Sequence, residues 1–125
     1  MEFFATAAVR ATAAELQARL SIAALPRWCA SISEVVSETD ASGEMYCLWG
    51  QFRVHREAIR DGVRFTLPDC PNALQWTVTT GQPPAPDKVI IHLTINRTEH
   101  DPDFVEANQE FTLDWKAGLE SHWPR

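Results

Sequence analysis

The chain has 125 residues, of which 45% are hydrophobic and 22% are charged. This is the size and composition of one folded domain, so we predict a single domain over residues 1–125 and exclude a disordered chain. Eleven basic and seventeen acidic residues leave a net charge of -6, and the basic residues are scattered along the chain, which argues against nucleic-acid binding.

The N-terminal segment predicts one strand followed by two short helices. Residues Glu2 to Ala11 alternate in side-chain character with a period of two, as a half-buried strand requires. Thr12 and Glu15 have the spacing of a capping box, which starts a helix. Pro26 interrupts the helical pattern, so Ser21–Trp28 is expected to form a second short helix or turn.

The middle of the chain predicts antiparallel strands joined by turns. Residues 32–37 are expected to form the first of these strands, and a second one, either straight or bent at Gly50, is expected after the turn residues 39–43. Four residues of this second strand share one parity and are predicted to share a face: Tyr46, Leu48, Phe52 and Val54. Asp61-Gly62 resembles a hairpin turn that leads into a third strand.

The C-terminal part predicts two strands and a long helix. The strands cover residues 74–79 and 89–96, and a loop with three prolines joins them. Asp101 and Pro102 suit the N-cap and the first turn of a helix. The apolar and small residues of this helix recur on one side, which is expected to face the sheet: Phe104, Val105, Phe111, Thr112, Trp115, Gly118 and Leu119.

Three segments resemble motifs of a known superfamily. Ala24–Trp28, Asp69–Trp76 and Asp114–Leu119 are similar to the aromatic turn, strand and last-helix motifs of the START-like, or helix-grip, superfamily. Within it, the chain most resembles the group named for the activator of the heat-shock protein 90 ATPase. The resemblance implies an α+β helix-grip fold, with a curved antiparallel sheet of about six strands and the long C-terminal helix over its concave face.

The resemblance also implies a function. A domain of this kind is expected to bind an apolar or aromatic small molecule, lipid-like or polyketide-like, between the sheet and the last helix. The expected ligand-binding residues are Trp28, Leu48, Phe52, Phe65, Trp76, Leu93, Phe104, Phe111 and Trp115. Two alternatives are a partner protein that stimulates a chaperone ATPase and an enzyme of the polyketide-cyclase type that uses His55 or Arg53.

Several residues have a structural interpretation beside the functional one. Tryptophans suit a packed core as well as a cavity wall, because they bury a large area and keep one polar atom. Small side chains at Ala5 and Ala7 either leave space for a ligand or let a helix lie closer to the sheet. Gly118 within the last helix indicates close packing or the approach of a ligand. If the strand register shifts by one residue, Tyr46, Arg53, His55 and Arg64 are the polar groups expected near a cavity mouth.

The remaining motifs predict no cofactor, metal site or catalytic residue. The four histidines lack metal-binding spacing, and the three cysteines are far apart and odd in number, which predicts reduced thiols. No local pattern of a catalytic triad or Cys–His pair is present. We find neither a signal peptide nor a run of apolar residues long enough to span a membrane, so we expect a cytoplasmic protein.

Overall fold

The computed structural model describes residues 1–96 and 98–124, which form strands and helices in the order predicted. The elements are β1 (Glu2–Ala7), α1 (Ala13–Arg19), α2 (Leu25–Trp28), β2 (Ile32–Glu38), β3 (Ser42–Cys47), β4 (Gly50–Ile59), β5 (Gly62–Thr66), β6 (Gln75–Thr80), β7 (Val89–Thr94) and α3 (Pro102–His122). Strand β1 ends at Ala7 and not at Ala11, because the N–H of Val9 bonds back to the carbonyl of Ala7 in a tight turn.

The strands form one curved, unclosed antiparallel sheet in the order β1-β7-β6-β5-β4-β3-β2. Consecutive strands from β2 to β7 are neighbours, and β1 pairs with β7. The predicted α+β helix-grip fold is therefore confirmed. The described residues form seven strands and not about six, because the stretch predicted as one bent strand is two strands, separated at Leu48 and Trp49.

The turn at Leu48 and Trp49 also changes which side chains of β3 and β4 share a face of the sheet. Met45 pairs with Phe52, and Tyr46 pairs with Gln51. Directly opposed residues of a sheet point to the same side, so Phe52 shares a face with Met45 and not with Tyr46. The predicted common face of Tyr46 and Phe52 is wrong: Met45 is fully buried, whereas Tyr46 is 42% exposed.

Both predicted helix starts are confirmed. The hydroxyl of Thr12 accepts a hydrogen bond from the backbone N–H of Glu15 at 3.0 Å, and the carboxylate of Glu15 accepts one from the N–H of Thr12 at 3.0 Å. The carboxylate of Asp101 accepts a bond from the N–H of Asp103 at 2.8 Å, next to Pro102 in the first turn of α3. These side chains satisfy N–H groups that have no partner within the helix.

Helix α1 contacts the β4–β5 hairpin through hydrogen bonds from side chains to backbone carbonyls. The guanidinium of Arg56 donates to the carbonyl of Leu20 at 2.7 Å and also to that of Gln17. The side-chain amide of Gln17 donates to the carbonyl of Ile59 at 2.9 Å. Arg56 therefore completes the C-terminal end of α1, where the last carbonyls have no partner within the helix.

Helix α3 lies directly on the first strand of the sheet. Its closest backbone neighbours are β1, α2 and β7. Ala5 and Ala7 are buried beneath it, and a Cβ atom added to Gly118 would lie only 2.0 Å from the carbonyl oxygen of Trp28. The small residues therefore let α3 lie close to β1 and α2. This agrees with the packing role considered for Ala5, Ala7 and Gly118.

Candidate functional site

Large aromatic side chains fill the space between α3 and the strands β5 and β6. On α3, residues at spacings of three and four face the sheet, and Phe111 and Trp115 among them are fully buried. Facing them, Phe65 and Trp76 pair directly across β5 and β6. This interior is where the sequence predicts a ligand.

The rings in this space contact one another continuously. The ring centroids of Trp76 lie 4.9 Å from Phe111 and 5.2 Å from Phe65, and those of Phe65 and Trp115 are 5.9 Å apart. We call the whole set the interior aromatic cluster: Trp49, Phe65, Trp76, Phe104, Phe111 and Trp115. In this structure, the protein's own side chains therefore occupy the space between the helix and these strands.

Several polar atoms in and beside this cluster are buried without a hydrogen-bond partner. They are the indole N–H groups of Trp49, Trp76 and Trp115 and the side-chain oxygen of Asn108. An unpaired buried donor or acceptor costs about 1–3 kcal/mol, and folded proteins contain only a few of them. Three such donors and one acceptor are thus concentrated in the interior beneath α3.

Asn108 is the polar member of the helix face that covers the sheet. It is fully buried, and its position between Phe104 and Phe111 places it on the same side of α3. Its amide nitrogen donates to the carbonyl of Phe104 at 2.7 Å, so the amide orientation is fixed and the oxygen points away from that bond. The oxygen is therefore free to accept a hydrogen bond from another molecule.

The structure brings together most of the predicted ligand-binding residues. Phe65, Trp76, Phe111 and Trp115 are fully buried within the cluster. Leu93 is also fully buried and pairs with Trp76 across β7 and β6. These residues form one continuous patch on the inner face of the sheet and on α3.

The other predicted residues lie at the edge of this patch or outside it. Phe104 and Phe52 are half-buried and pack against the core, whereas Leu48 is 40% exposed on the β3–β4 turn. Trp28 lies in a separate aromatic pair, with its ring centroid 5.6 Å from that of Trp123. Its indole N–H donates to the carbonyl of Arg19 at 3.2 Å, so it has the partner that the tryptophans of the cluster lack.

Trp49 and Asn108 are the two site residues that the sequence analysis missed. Asn108 follows Phe104 by four residues and precedes Phe111 by three, a spacing that assigns it to the apolar face. The signal was therefore present in the helical pattern. Trp49 has no comparable signal, because the inward direction of a turn residue depends on how the hairpin closes.

The polar residues considered for a cavity mouth lie on the outer face of the sheet. Arg53 forms an exposed ion pair with Asp69, with 2.8 Å between Nε and Oδ2, and Arg64 lies 3.2 Å from Glu57. His55 is exposed as well. The cluster itself contains no ionisable side chain, since its polar atoms belong to indoles and its neighbour Asn108 is an amide.

Among the described residues, the thiols and the acidic or basic groups form no metal centre. The three cysteines are free, and burial raises the pKa of the Cys29 thiol far above its ordinary value and that of Cys47 less far. Among residues 1–96 and 98–124, no group of three or more His, Cys, Asp or Glu side chains is placed to hold a metal ion. None of the described helices is long and apolar enough to cross a membrane.

Solved structures share this architecture at low sequence identity. A START superfamily protein from Mycobacterium smegmatis superimposes with a TM-score of 0.61 at 13% identity, over 97% of this chain and 94% of that one. The chain has the START helix-grip fold. No protein-family model matches the sequence, and no curated protein matches it either.

Two further structures with the helix-grip fold of this chain come from Bacillus species. The protein XoxI from Bacillus cereus has a TM-score of 0.67 at 10% identity and covers 96% of this chain and 93% of its own. An uncharacterized protein from Bacillus thuringiensis has the same TM-score and identity, with 97% of each chain covered. At these identities, the similarity establishes the fold alone.

Proposed function

We propose that the chain binds a small aromatic molecule in the interior beneath α3, next to the interior aromatic cluster. The observation that carries the proposal is the concentration of unpaired polar atoms there: three indole N–H groups and the oxygen of Asn108. A bound molecule would satisfy those that it reaches: a donor of the ligand would pair with the oxygen of Asn108, and an acceptor would pair with an indole N–H. The fold shared with the START superfamily protein supports the same location.

The walls favour a planar aromatic ligand over a flexible chain. Rings prefer offset or edge-to-face contacts at centroid separations of about 4.5–7 Å, and the ring contacts of the cluster have this geometry. Burying roughly 250 Å² of ligand surface at about 25 cal/mol per Å² gives about 6 kcal/mol before ordering costs. This corresponds to a Kd of tens of micromolar or weaker, on the order of drug-fragment affinities.

The residues predicted from sequence have distinct places in this proposal. Phe65, Trp76, Leu93, Phe111 and Trp115 would line the ligand once a side chain of the cluster moves aside, since the rings fill this space in the structure. Leu48, Phe52 and Phe104, which are exposed or half-buried, line the end at which the ligand enters. Trp28 supports α3 from the opposite end, where its backbone lies against Gly118.

Nuclear magnetic resonance of the five tryptophan indole N–H groups tests the proposal. The ¹⁵N-labelled protein is titrated to millimolar concentrations with indole, 2-naphthol and octanoic acid, and each indole signal is assigned with a single Trp→Phe variant. We expect the aromatic compounds to shift the signals of Trp49, Trp76 and Trp115 saturably. The signal of Trp28, already bonded to Arg19, serves as the internal control.

Two results would contradict binding beneath α3. One is the absence of saturable shifts with every compound at millimolar concentration. The other is a set of shifts confined to Trp28 and Trp123, which would place the ligand at the opposite end of α3. A response to octanoic acid alone would instead identify an aliphatic ligand and would overturn the aromatic class.

A protein partner of the chaperone-ATPase type is a second proposal, supported by exposed hydrophobic side chains at one edge of the sheet. Val36 on edge strand β2 and Tyr46 on neighbouring β3 are 51% and 42% exposed. Such side chains suit a protein interface. We expect the chain to raise the ATPase rate of the chaperone and a Val36→Ser, Tyr46→Ser double variant to lose the effect. An unchanged rate with the unaltered chain would refute the proposal. Assignment to the activator group and a cytoplasmic location stay predictions.

A further inference from the structure

The Trp49 side chain closes the interior from a turn. Leu48 and Trp49 form the loop between β3 and β4, and Gly50 follows with a φ of +107°, which a glycine adopts readily. The indole of Trp49 is half-buried and lies against two rings of α3, at centroid distances of 6.0 Å from Phe104 and 5.2 Å from Phe111. A side chain on a surface turn thus reaches the interior helix face.

The Trp49 indole lies next to the segment of α3 that carries Asn108. Phe104 and Phe111 are two helical turns apart on one face of α3, and Asn108 is between them on that face. An indole that contacts both rings therefore lies beside the helix segment that holds Asn108. The N–H of Trp49 and the side-chain oxygen of Asn108 are complementary groups, yet both are buried without a partner. The indole fills the space but leaves the acceptor unused.

Trp49 and Phe104 are the half-buried rings of the cluster, and Trp49 is the one of the six that lies outside any strand or helix. Phe65 and Trp76 are on inner strands, and Phe111 and Trp115 are on the buried face of α3. Trp49 follows Leu48, which is 40% exposed, and is itself outside any strand or helix. Rotation of its side chain into solvent would break its contacts with Phe104 and Phe111 and would open space on the side of α3 that carries Asn108.

We propose that the Trp49 indole occupies the ligand position in the unliganded protein and that Asn108 selects the ligand. This inference rests on the proposed function of the interior. The ligand class is then a planar bicyclic aromatic compound with an N–H or O–H donor, which replaces the indole and bonds to the oxygen of Asn108. Because Trp49 competes for the same position, the affinity of the unaltered protein is lowered by the fraction of molecules in which the position is filled.

The test compares two ligands of nearly equal shape. Indole carries an N–H donor, whereas benzothiophene has the same bicyclic outline without one. Their Kd values are measured by calorimetry with the unaltered protein, Trp49→Ala, the double variant Trp49→Ala, Asn108→Leu, and Trp123→Ala. The last variant is the matched control, because it also opens a space the size of an indole but lies in the Trp28 pair, away from Asn108.

We expect Trp49→Ala to bind indole at least about tenfold more tightly than the unaltered protein does, since the competing side chain is gone. It should prefer indole over benzothiophene by about tenfold, because a hydrogen bond to a buried acceptor is gained. The double variant should lose this preference. In Trp123→Ala, any added indole affinity should show no comparable preference.

Equal indole affinity of the unaltered protein and Trp49→Ala would overturn the inference, as would a preference for indole that persists without Asn108. If the indole signals of Trp76 and Trp115 still shift on titration of the unaltered protein, the proposed function stands while this inference falls. Absence of binding by every variant refutes both.

A measurement on the unaltered protein covers the case in which Trp49→Ala fails to fold. Saturating indole should speed hydrogen exchange at the Trp49 indole N–H, because the side chain moves into solvent, and should slow it at Trp76 and Trp115. Slower exchange at all three positions would mean that Trp49 stays inside, and the inference would be wrong.

Discussion

Gly118 of α3 lies against the main chain of Trp28 in α2, and a Cβ atom at position 118 would be 2.0 Å from the Trp28 carbonyl oxygen and 2.6 Å from its carbon. Alanine is favoured over glycine within a helix by about 1 kcal/mol. Overpacking against backbone usually costs about 1–3 kcal/mol, and a carbonyl cannot rotate away as a side chain can. The contact therefore decides whether a substitution of Gly118 raises or lowers the free energy of unfolding.

Gly118→Ala is expected to lower the free energy of unfolding by about 2 kcal/mol, measured by urea denaturation. Ala117→Gly is the matched control, because it lies one residue earlier on the exposed side of α3 and should cost only the helix-propensity difference of about 1 kcal/mol. An increase in stability for Gly118→Ala would mean that the two helices separate easily and do not fix each other.

Arg56→Met is expected to destabilise the protein by about 1.5–3 kcal/mol, since charge-assisted hydrogen bonds to two carbonyls of α1 are lost. Arg53→Met provides the comparison: its ion pair with Asp69 is more than half exposed and screened by solvent, so its loss should change the stability far less. Thermal unfolding followed by circular dichroism measures both. Equal effects of the two substitutions would contradict the role of Arg56 at the end of α1.

Stability should depend on pH through Glu120. Hydrogen bonds from Lys116, and then from the backbone N–H of Ala8, lower the pKa of this carboxyl from its ordinary value of 4.5. A group with a lowered folded-state pKa stabilises the fold above its unfolded pKa, and this stability is lost as the pH falls through the folded pKa. The difference in Tm between the unaltered protein and Glu120→Gln should be present at pH 7 and should narrow below about pH 4.5. Glu110→Gln removes the same charge from the exposed face of α3 and serves as the control for the change in net charge.

The thiols should differ in reactivity. Burial raises the pKa of Cys29 far above its ordinary value, so little thiolate is available to an alkylating reagent, and access is blocked as well. With iodoacetamide at pH 8, Cys47 and Cys70, which are half-buried, should be modified before Cys29. Peptide mass mapping in the absence and presence of urea checks the order. Early modification of Cys29 in the folded protein would show that its surroundings open readily.

Asn108→Leu should maintain or raise the Tm of the unliganded protein. The substitution removes a buried acceptor without a partner and replaces it with an apolar side chain of similar volume. It also removes the hydrogen bond from the side-chain amide to the Phe104 carbonyl. Asn108→Ala is the useful comparison, because alanine loses the same hydrogen bond but leaves a cavity. A large fall in Tm for Asn108→Leu would indicate that the amide stabilises the fold and is not reserved for a ligand.

The fold was predictable because its signals are local. The capping box at Thr12 and Glu15, the Asp101-Pro102 start of α3 and the alternation along β7 each depend on a few neighbouring residues. Each one fixes the type of an element before any tertiary contact is known. The arrangement of these elements, a long helix over a curved antiparallel sheet, was predicted from the resemblance of the chain to the helix-grip superfamily.

The site was predictable only in part, because facing directions depend on turns. A turn at Leu48 and Trp49 reverses the parity between β3 and β4, so Tyr46 points outward while Phe52 points inward. The sequence pattern does not state where such a turn closes. The identity of the wall residues on β6 and α3 was accessible from periodicity, whereas the inward position of Trp49 was not.

The position of β1 beside β7 has a consequence for how the molecule assembles. Strands β2 to β7 pair with their sequence neighbours, but β1 pairs with the last strand, more than eighty residues away, as at Phe4 and His92. Contacts between such distant segments form late, since a long loop must close first. Because β7 precedes only α3 in the chain, β1 cannot pair and α3 cannot cover it until nearly the whole chain has been synthesised.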